Sequence, residues 1–272
     1  MSKIFATSQS IEPQKIEASS LSSNKFNALL YGYNWRSADI TYSTINEIDS
    51  SFSDDYLTDN LKSLVTSRSS FSPAQAEAIS TALIKWSNVT SINFTEVKET
   101  DNSSGTLRFG LSNNIDALVS NSSAFAFFPS NIESGGDIWL NANTKDILDG
   151  KFINTFTESS FQDGSFSYSI LVHEIGHALG LKHPFETSSR NFDTLNEDDN
   201  IINNTIMSYA ISLDADVVGL TAYLTTPMIE DIRAIQHLYG TNNSFNSGDM
   251  SYFLMILQYI FKRYGTVAVL IQ

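Results

Sequence analysis

The residues of this chain that could do chemistry are concentrated in one run, from His173 to His183, which reads HEIGHALGLKH. On a helix, His173 and His177 project one above the other from the same face, where two imidazoles can bind one metal ion. Glu174 lies at the edge of that face, where it can take a proton from water at the metal. Gly180 tolerates the left-handed conformation that ends a helix, so the chain can turn and bring His183 back as a third ligand.

Three imidazoles predict a catalytic rather than a structural metal site, because they leave the fourth tetrahedral position open. The alternative is that these are ordinary core histidines in a chance arrangement. A chance match has a frequency on the order of one in ten million per window. Three of the four histidines of the chain lie within the run. We expect the fourth, His237, to be a partly exposed residue of a helix and not a ligand.

The pattern His-Glu-x-x-His-x-x-Gly-x-x-His resembles the zinc signature of the metzincins, and Pro184 directly after it resembles the serralysin branch of these secreted proteases. Residues 205–209, Thr-Ile-Met-Ser-Tyr, resemble the Met-turn of that family. The resemblance implies that Met207 lies beneath the zinc and that Tyr209 is an additional, movable zinc ligand. Weaker matches extend over roughly residues 29–240. An astacin-like or matrixin-like metzincin is the alternative, disfavoured by Pro184 and by the absence of cysteines.

These features predict a zinc-dependent metalloendopeptidase. We expect zinc to bind His173, His177 and His183 and to activate a water for attack on an internal peptide bond. Glu174 is then the general base, and the resemblance implies that Tyr209 donates a hydrogen bond to the oxyanion. The second hypothesis is a non-catalytic, truncated pseudoprotease that keeps the metzincin fold as a binding or surface module. The intact base favours the enzyme, since a binding module needs none.

The elements that must position this run follow from capping signals and periodicity. Ser72, Pro73 and Gln75 predict the capped start of an amphipathic helix, and Ile92–Val97 alternates like a half-buried strand. Further strands are expected near residues 39–45, 105–110, 124–128 and 137–140, and the zinc helix over about residues 165–179. The predicted fold class is α+β. By resemblance it is the metzincin fold, a twisted mixed sheet with a long zinc-binding helix and a small C-terminal subdomain.

A substrate cleft follows from this layout. An upper subdomain ending near residue 180 and a lower one over residues 181–240 would hold the zinc between them. A protein or peptide substrate could add as an extended strand along the sheet edge near Ala124–Phe128. The residues through which we expect the zinc helix to pack beneath the sheet are Ile170, Leu171, Ile175 and Leu179.

Composition is that of a folded, exported enzyme. The chain has 272 residues, of which 42% are hydrophobic, enough for one domain with a sizeable core. It has no cysteine, which excludes a disulfide framework and thiolate metal sites. A net charge of −14 argues against nucleic acid and anionic membranes as partners. We expect an extracellular monomer, which the family resemblance implies is secreted by the type I route without an N-terminal signal peptide.

The sequence divides into three regions. Residues 1–26 are polar and read as a leader or propeptide, and residues 27–240 read as the catalytic domain. Residues 241–272 form an atypical apolar tail in place of the calcium-binding repeats that follow the catalytic domain in serralysins, and the tail has no run long enough to span a membrane. Calcium is therefore an unsupported cofactor. Glu197–Asp199 fit a solvated acidic loop better than a calcium loop.

Overall fold

The computed structural model describes residues 12–16, 24–57, 59–101, 103–115, 118–148, 151–154, 161, 164–210 and 223–245. Most of the predicted leader, and the predicted tail from residue 246 onward, lie outside these residues. Two parts of the leader are described. Residues 12–16 include strand β1 (Pro13–Lys15), which pairs antiparallel with β2 (Tyr33–Trp35), and residues 24–26 lead into a 3₁₀ helix. The division into leader, catalytic domain and tail stays a prediction.

The remaining described elements mix strands with helices along the chain. The strands are β3 (Asp39–Thr44), β4 (Arg68–Ser69), β5 (Asn93–Glu96), β6 (Leu107–Ser112), β7 (Ala124–Ala126), β8 (Ile138–Asn141), β9 (Lys145–Leu148) and β10 (Lys151–Asn154). The α-helices are α1 (Asp59–Thr66), α2 (Pro73–Ser87), α3 (Phe166–Ala178) and α4 (Ile229–Tyr239), and a 3₁₀ helix covers Lys25–Leu29. Strands β9 and β10 pair only with each other among the described strands.

A mixed six-stranded sheet is the central element. Its order is β5-β3-β6-β8-β7, and β4 joins β6 in antiparallel orientation. Strands β5, β3, β6 and β8 run parallel, whereas β7 is antiparallel to β8 and ends the described sheet. The predicted α+β class is confirmed. The strands expected near 39–45, 124–128 and 137–140 correspond to β3, β7 and β8, and β6 begins two residues later than expected.

Hydrophobic side chains fill both faces of this sheet. Along β8, Ile138 and Leu140 enter the main core, while Trp139 between them enters a smaller core on the other face. Such alternation is the two-residue period of a strand. The zinc helix α3 packs against α2, β7 and β8. Three of its four expected packing residues are fully buried: Leu171, Ile175 and Leu179. The fourth, Ile170, is partly buried.

Helix α2 starts as predicted and supports α3. The Ser72 hydroxyl accepts from the amide of Gln75 at 3.3 Å, and the Gln75 side chain accepts from the amide of Ser72 at 2.9 Å. Pro73 is the first helical residue. Near the other end, the indole of Trp86 donates to the carbonyl of Val172 in α3 at 3.2 Å. Within the described part of the chain, no helix has the length and apolar character that crossing a bilayer requires.

Candidate metal centre

Helix α3 carries the first two predicted ligands and sets the orientation of both rings. Nδ1 of His173 lies 2.8 Å from the carbonyl oxygen of Ile206, and Nδ1 of His177 lies 2.7 Å from that of Leu181. A carbonyl can only accept, so each Nδ1 carries the proton and each Nε2 presents a lone pair. This is how metal-ligating histidines are commonly held.

A glycine turn brings the third ligand to the first two. Gly180 has φ of 108°, and a Cβ at this position would collide with the carbonyl oxygen of Tyr33. The amides of Gly180 and Leu181 each donate to a carbonyl in the last turn of α3 at 2.9 Å. These two bonds form the Schellman motif that commonly ends a helix. The chain therefore reverses where the sequence predicts and delivers His183 to the site.

The three histidine side chains converge on one point. Nε2 of His183 lies 3.2 Å from Nε2 of His173 and 3.1 Å from Nε2 of His177. Nitrogens bound tetrahedrally to one zinc, each about 2.0–2.1 Å from the ion, are about 3.3 Å apart. Within the described residues, these three form the one group of histidines and carboxylates close enough together to hold a metal ion. The spacing of the ligand atoms fits zinc.

The protonation of these rings also favours a metal. Burial, followed by the charge of His183, lowers the pKa of His173 to about 4. Burial and the two other imidazoles hold the pKa of His177 well below its usual value, and burial lowers the pKa of His183. Three lone pairs that face one another at such short range repel unless a cation lies between them. Imidazole donors suit a borderline-soft ion such as Zn²⁺.

Glu174 is buried next to the first ligand with one carboxyl oxygen unpartnered. Its side chain is 6% exposed, and Oε2 accepts no hydrogen bond. Burial raises the pKa of this carboxyl to about 8. An unpartnered buried carboxyl oxygen lowers stability. Asp137 and Glu230 carry one as well, so the case for a function of Glu174 rests on its place directly after a ligand.

Met207 lies directly beneath α3. Its Sδ is 2.7 Å from the point that a Cβ at Gly176 would occupy, so only glycine allows the methionine to pack this closely. The buried carboxylate of Asp231 in α4 accepts a hydrogen bond from the amide of Ile206 at 2.7 Å. The carbonyl of Ile206 in turn orients His173. Helix α4 therefore positions a ligand through the predicted Met-turn.

Tyr209 reaches the ligands from the solvent side. Its hydroxyl lies 2.7 Å from Nε2 of His183, the nitrogen that also faces the other two ligand nitrogens. The residue is nevertheless 66% exposed. A phenol in this position can join the ligand set, and its exposure leaves room for it to move away. The hydroxyl therefore lies beside a ligand nitrogen, and the role of an additional, movable ligand stays a prediction.

Two further residues at the site were not singled out in the sequence. The ring of Phe185 stacks on His183, with centroids 5.1 Å apart and an interplanar angle of 5°. The carboxylate of Glu186 lies 3.0 Å from Nδ1 of His183. The only sequence signal for them is that they follow the third ligand and Pro184, which fixes the start of a turn.

The edge strand β7 leads directly to the metal ligands. Phe128, just beyond its end, contacts His177 with ring centroids 5.3 Å apart. On its other side Phe128 stacks on Tyr31 at 3.7 Å. Tyr31 was missed in the sequence because it lies far from the ligands along the chain. The described sheet thus ends, as predicted, with an edge beside the candidate site.

Lys182 is a buried cation that the sequence does not reveal. Its ammonium donates to the backbone carbonyls of Ala28, Glu186 and Asp193, the last two at 2.7 and 2.9 Å. Burial lowers its pKa to about 8. These bonds join the 3₁₀ helix to the loop that follows the third ligand. No sequence pattern could predict them, because the partners are main-chain groups remote in sequence.

The weaker sequence candidates lie away from this cluster. His237 is exposed on α4, where its ring contacts Phe26 at 5.4 Å, and it is not part of the three-histidine group. Glu197 and Asp198 are exposed, and Asp199 forms an ion pair with Lys25 at 2.5 Å. The exposure of Glu197 and Asp198 agrees with the solvated acidic loop predicted over these residues.

Comparison with known proteins gives one family and a consistent set of relatives. The sequence profile described as matrixin, a peptidase family, matches residues 52–207. The chain is 30% identical to a serralysin of Photorhabdus sp. (strain Az29) over 71% of its own length and 38% of the relative's. It is 33% identical to serralysin C of Dickeya chrysanthemi, over 67% and 36%, and 32% identical to serralysin G of that species, over 80% and 42%. The chain spans about two fifths of the length of these relatives.

Proposed function

The chain belongs to the matrixin family of peptidases and resembles serralysins over most of its length, and from that premise we propose that it is a zinc-dependent metalloendopeptidase. The zinc cofactor expected from the sequence is confirmed by the family and by the three-histidine cluster. Residues 27–240 are the catalytic domain in this proposal. The protein acts outside the cell, as a monomer, on protein or peptide substrates.

One observation carries the proposal. Glu174, the residue directly after His173 in α3, has a buried carboxyl oxygen without a partner, and the imidazole nitrogens of His173, His177 and His183 converge on one point. These nitrogens would hold the zinc. When bound, the ion supplies a Lewis acid that polarises a carbonyl and lowers the pKa of water. Oε2 of Glu174 has no hydrogen-bond partner among the described residues, and the hydrogen bonds at Nδ1 of His173 and His177 do not explain why the Nε2 atoms converge.

Glu174 is the general base of the proposed reaction. Its oxygen without a hydrogen bond is free to accept a proton from the attacking water. The same carboxyl then passes that proton to the leaving amine, so that one residue serves both steps. Burial keeps bulk water from competing for the carboxyl and raises its pKa, which strengthens it as a proton acceptor.

Tyr209 is the proposed oxyanion donor. Its hydroxyl now lies 2.7 Å from a ligand nitrogen of His183, and the ring is largely exposed. A modest rotation toward solvent would vacate the position that a substrate carbonyl needs. From there the hydroxyl can donate a hydrogen bond to the negative charge that develops on the carbonyl oxygen.

The substrate is proposed to bind as an extended strand along β7. This strand pairs with β8 on one side and ends the described sheet on the other. An added peptide strand would form main-chain hydrogen bonds there, which are blind to side-chain identity. Phe128 then continues from the strand to His177. A bound peptide therefore crosses the ligand cluster in extended form.

The test is cleavage of a quenched casein substrate by the zinc-loaded protein, with Glu174→Gln as the variant. We expect the variant to keep one zinc per chain and to lose about 10²- to 10⁴-fold in kcat, the usual contribution of a general base. Glu197→Gln, an exposed carboxylate outside the cluster, is the control and should keep full activity. Tyr209→Phe should lose less than Glu174→Gln.

Each other outcome has a defined meaning. Equal activity in Glu174→Gln would remove this residue from the mechanism. Folded protein with one zinc and no cleavage of casein would contradict the peptidase and favour a binding module with the same fold. Retention of cleavage after removal of the metal by a chelator would exclude the zinc mechanism altogether.

A further inference from the structure

The residues that follow the third ligand form a tight turn. The amide of Glu186 donates to the carbonyl of His183 at 3.2 Å, which closes a four-residue turn with Pro184 in its second position. Proline fixes φ there and suits that position in the common turn types. The turn presents Phe185, its third residue, back toward the ligand from which the turn began.

Phe185 contacts two components of the site at once. Its ring is nearly parallel to that of His183 at 5.1 Å, and its centroid lies 5.4 Å from that of Tyr209. Tyr209 also contacts His183 at 4.7 Å and lies nearly parallel to His173 at 5.6 Å. The tyrosine ring therefore lies among two ligands and one aromatic residue that is not a ligand.

We propose that Phe185 is a positioning residue for Tyr209. It holds the tyrosine in the closed position, with its hydroxyl against the metal ligands, rather than in an open position turned toward solvent. The inference rests on the proposed function, in which the tyrosine must leave the ligands before substrate enters. Removal of the phenylalanine ring shifts the balance toward the open position. Phe185 thus sets how readily a substrate carbonyl or another metal-binding group gains access to the metal.

The geometry accounts for this role better than ordinary packing does. Tyr209 is 66% exposed, and within the described residues its hydroxyl has one hydrogen-bond partner, His183. Few contacts therefore hold the Tyr209 ring, and each of them contributes substantially to the equilibrium between its two positions. Phe185 is itself 39% exposed, so it contributes little to the core. An aromatic contact of this kind shifts an equilibrium by about two- to tenfold.

The same loop supplies a matched control. Phe192 is 75% exposed, and no ring contact joins it to a ligand or to Tyr209 among the described residues. Replacing it with alanine removes the same ring from the same loop without touching the site. A difference between the two substitutions therefore reports position and not a general loss of apolar surface.

The experiment measures binding of acetohydroxamate, a small metal-binding anion, to the zinc-loaded protein by calorimetry. It compares Phe185→Ala, Tyr209→Phe, the double variant and Phe192→Ala. If Phe185 acts through Tyr209, Phe185→Ala lowers the Kd by about two- to tenfold and Phe192→Ala leaves it unchanged. In the Tyr209→Phe background, where no hydroxyl reaches the ligands, the Phe185 substitution should have no further effect.

Two results would overturn the proposal. One is an unchanged Kd in Phe185→Ala with one zinc bound. The other is an equal lowering of the Kd in both backgrounds, which would mean that the phenylalanine only obstructs access. If Phe185→Ala does not fold, Phe185→Leu takes its place, because it keeps the bulk without the ring and must still lower the Kd. Phe185→Tyr keeps a ring and must leave the Kd as it is in the unmodified protein.

A spectroscopic readout separates this inference from the peptidase proposal. In copper-loaded protein, contact of Tyr209 with the metal gives a phenolate-to-copper absorption that Tyr209→Phe lacks. We expect Phe185→Ala to weaken it and Phe192→Ala to preserve it. A weakened band in protein that cleaves no casein would support the positioning role while the proposed function fails. An undiminished band in protein that does cleave casein would reject the positioning role alone.

Discussion

Two clusters of buried polar side chains in this molecule are built on opposite principles. In the first, opposite charges meet: the guanidinium of Arg108 donates to both carboxylate oxygens of Glu99, at 2.9 and 2.6 Å. Both side chains are almost fully buried. Ser43 donates to the same carboxylate at 2.5 Å, and nearby Tyr56 donates to Asp137 at 2.7 Å. We call these five residues the ion-pair cluster.

In the second, the metal cluster, like groups meet. The nitrogens of His173, His177 and His183 face one another, and Glu174 beside them has an oxygen without a partner. An unsatisfied buried polar group costs about 1–3 kcal/mol, so folding alone would not select this arrangement. The difference teaches that a buried cluster with complementary charges stabilises the fold. An unpartnered carboxyl oxygen occurs in both clusters, at Oδ1 of Asp137 and Oε2 of Glu174, so what sets the metal cluster apart is the convergence of three imidazole lone pairs, which a metal ion completes.

The largest expected effect comes from Arg108→Met, which removes the cation of the ion-pair cluster at similar volume. Glu99 is left as a buried charge without its partner, and such a loss typically costs about 3–5 kcal/mol. Urea unfolding should show that decrease in the free energy of unfolding. Glu174→Gln in the metal cluster should leave the same quantity unchanged or raise it by about 1 kcal/mol, because it removes an unpaired carboxyl.

The control for Arg108 is Lys25→Met, which breaks a long-range ion pair with Asp199. The lysine side chain is 54% exposed, so the loss should be about 0–1 kcal/mol. If Arg108→Met cost no more than this control, the ion-pair cluster would not stabilise the fold. A large cost in Glu174→Gln would likewise refute the distinction between the clusters.

The next effect is a pH dependence that arises in the ion-pair cluster. Burial raises the pKa of Asp137 to about 7, against a carboxyl value near 3.8. The folded state then binds more protons than the unfolded state between about pH 4 and pH 7. The contribution of Asp137 to the free energy of unfolding is therefore fully present below about pH 4 and is lost as the pH rises through about 7. The loss is roughly 2–4 kcal/mol across that window.

The measurement is the free energy of unfolding of the unmodified protein minus that of Asp137→Asn, in urea, from pH 4 to pH 7.5. Asparagine can still accept from Tyr56 but does not titrate, so the groups that do not interact with Asp137 cancel in the difference. We expect the difference to fall as the pH rises. A flat or rising difference would show that the carboxyl is already ionised at pH 4 and fully compensated by its partners.

The sequence predicted what local rules determine. The run from His173 to His183 sets its own geometry, because helical spacing aligns two ligands and Gly180 ends the helix. The alternation predicted for Ile92–Val97 is equally local, and Phe94 of β5 is half-buried between the exposed Asn93 and Thr95. The fold class, the zinc helix and the three-ligand cluster could therefore be predicted without coordinates.

What escaped prediction depends on residues that meet only in the folded chain. Arg108 and Glu99 become partners because the loop between β5 and β6, which carries Glu99, folds back against Arg108 of β6, and either residue alone looks like a surface charge. Lys182 escapes because its partners are backbone carbonyls, which carry no sequence signal. Tyr31 contacts Phe128 across about a hundred residues of chain. In each case the partner is set by the folded chain, and neither spacing nor composition identifies it.

The smallest effect belongs to a site outside both clusters, the start of α2. Ser72→Ala removes the hydroxyl that accepts from the amide of Gln75, and loss of such a cap costs about 1 kcal/mol. Ser80→Ala within the same helix is the control and should change stability by less than about 0.5 kcal/mol, since alanine favours helix. Both are measured by urea unfolding, with the zinc content followed by metal analysis. Helix α2 reaches α3 through Trp86, so a loss of zinc in Ser72→Ala would mean that the metal cluster depends on this remote cap and is not the self-contained unit that its convergent ligands suggest.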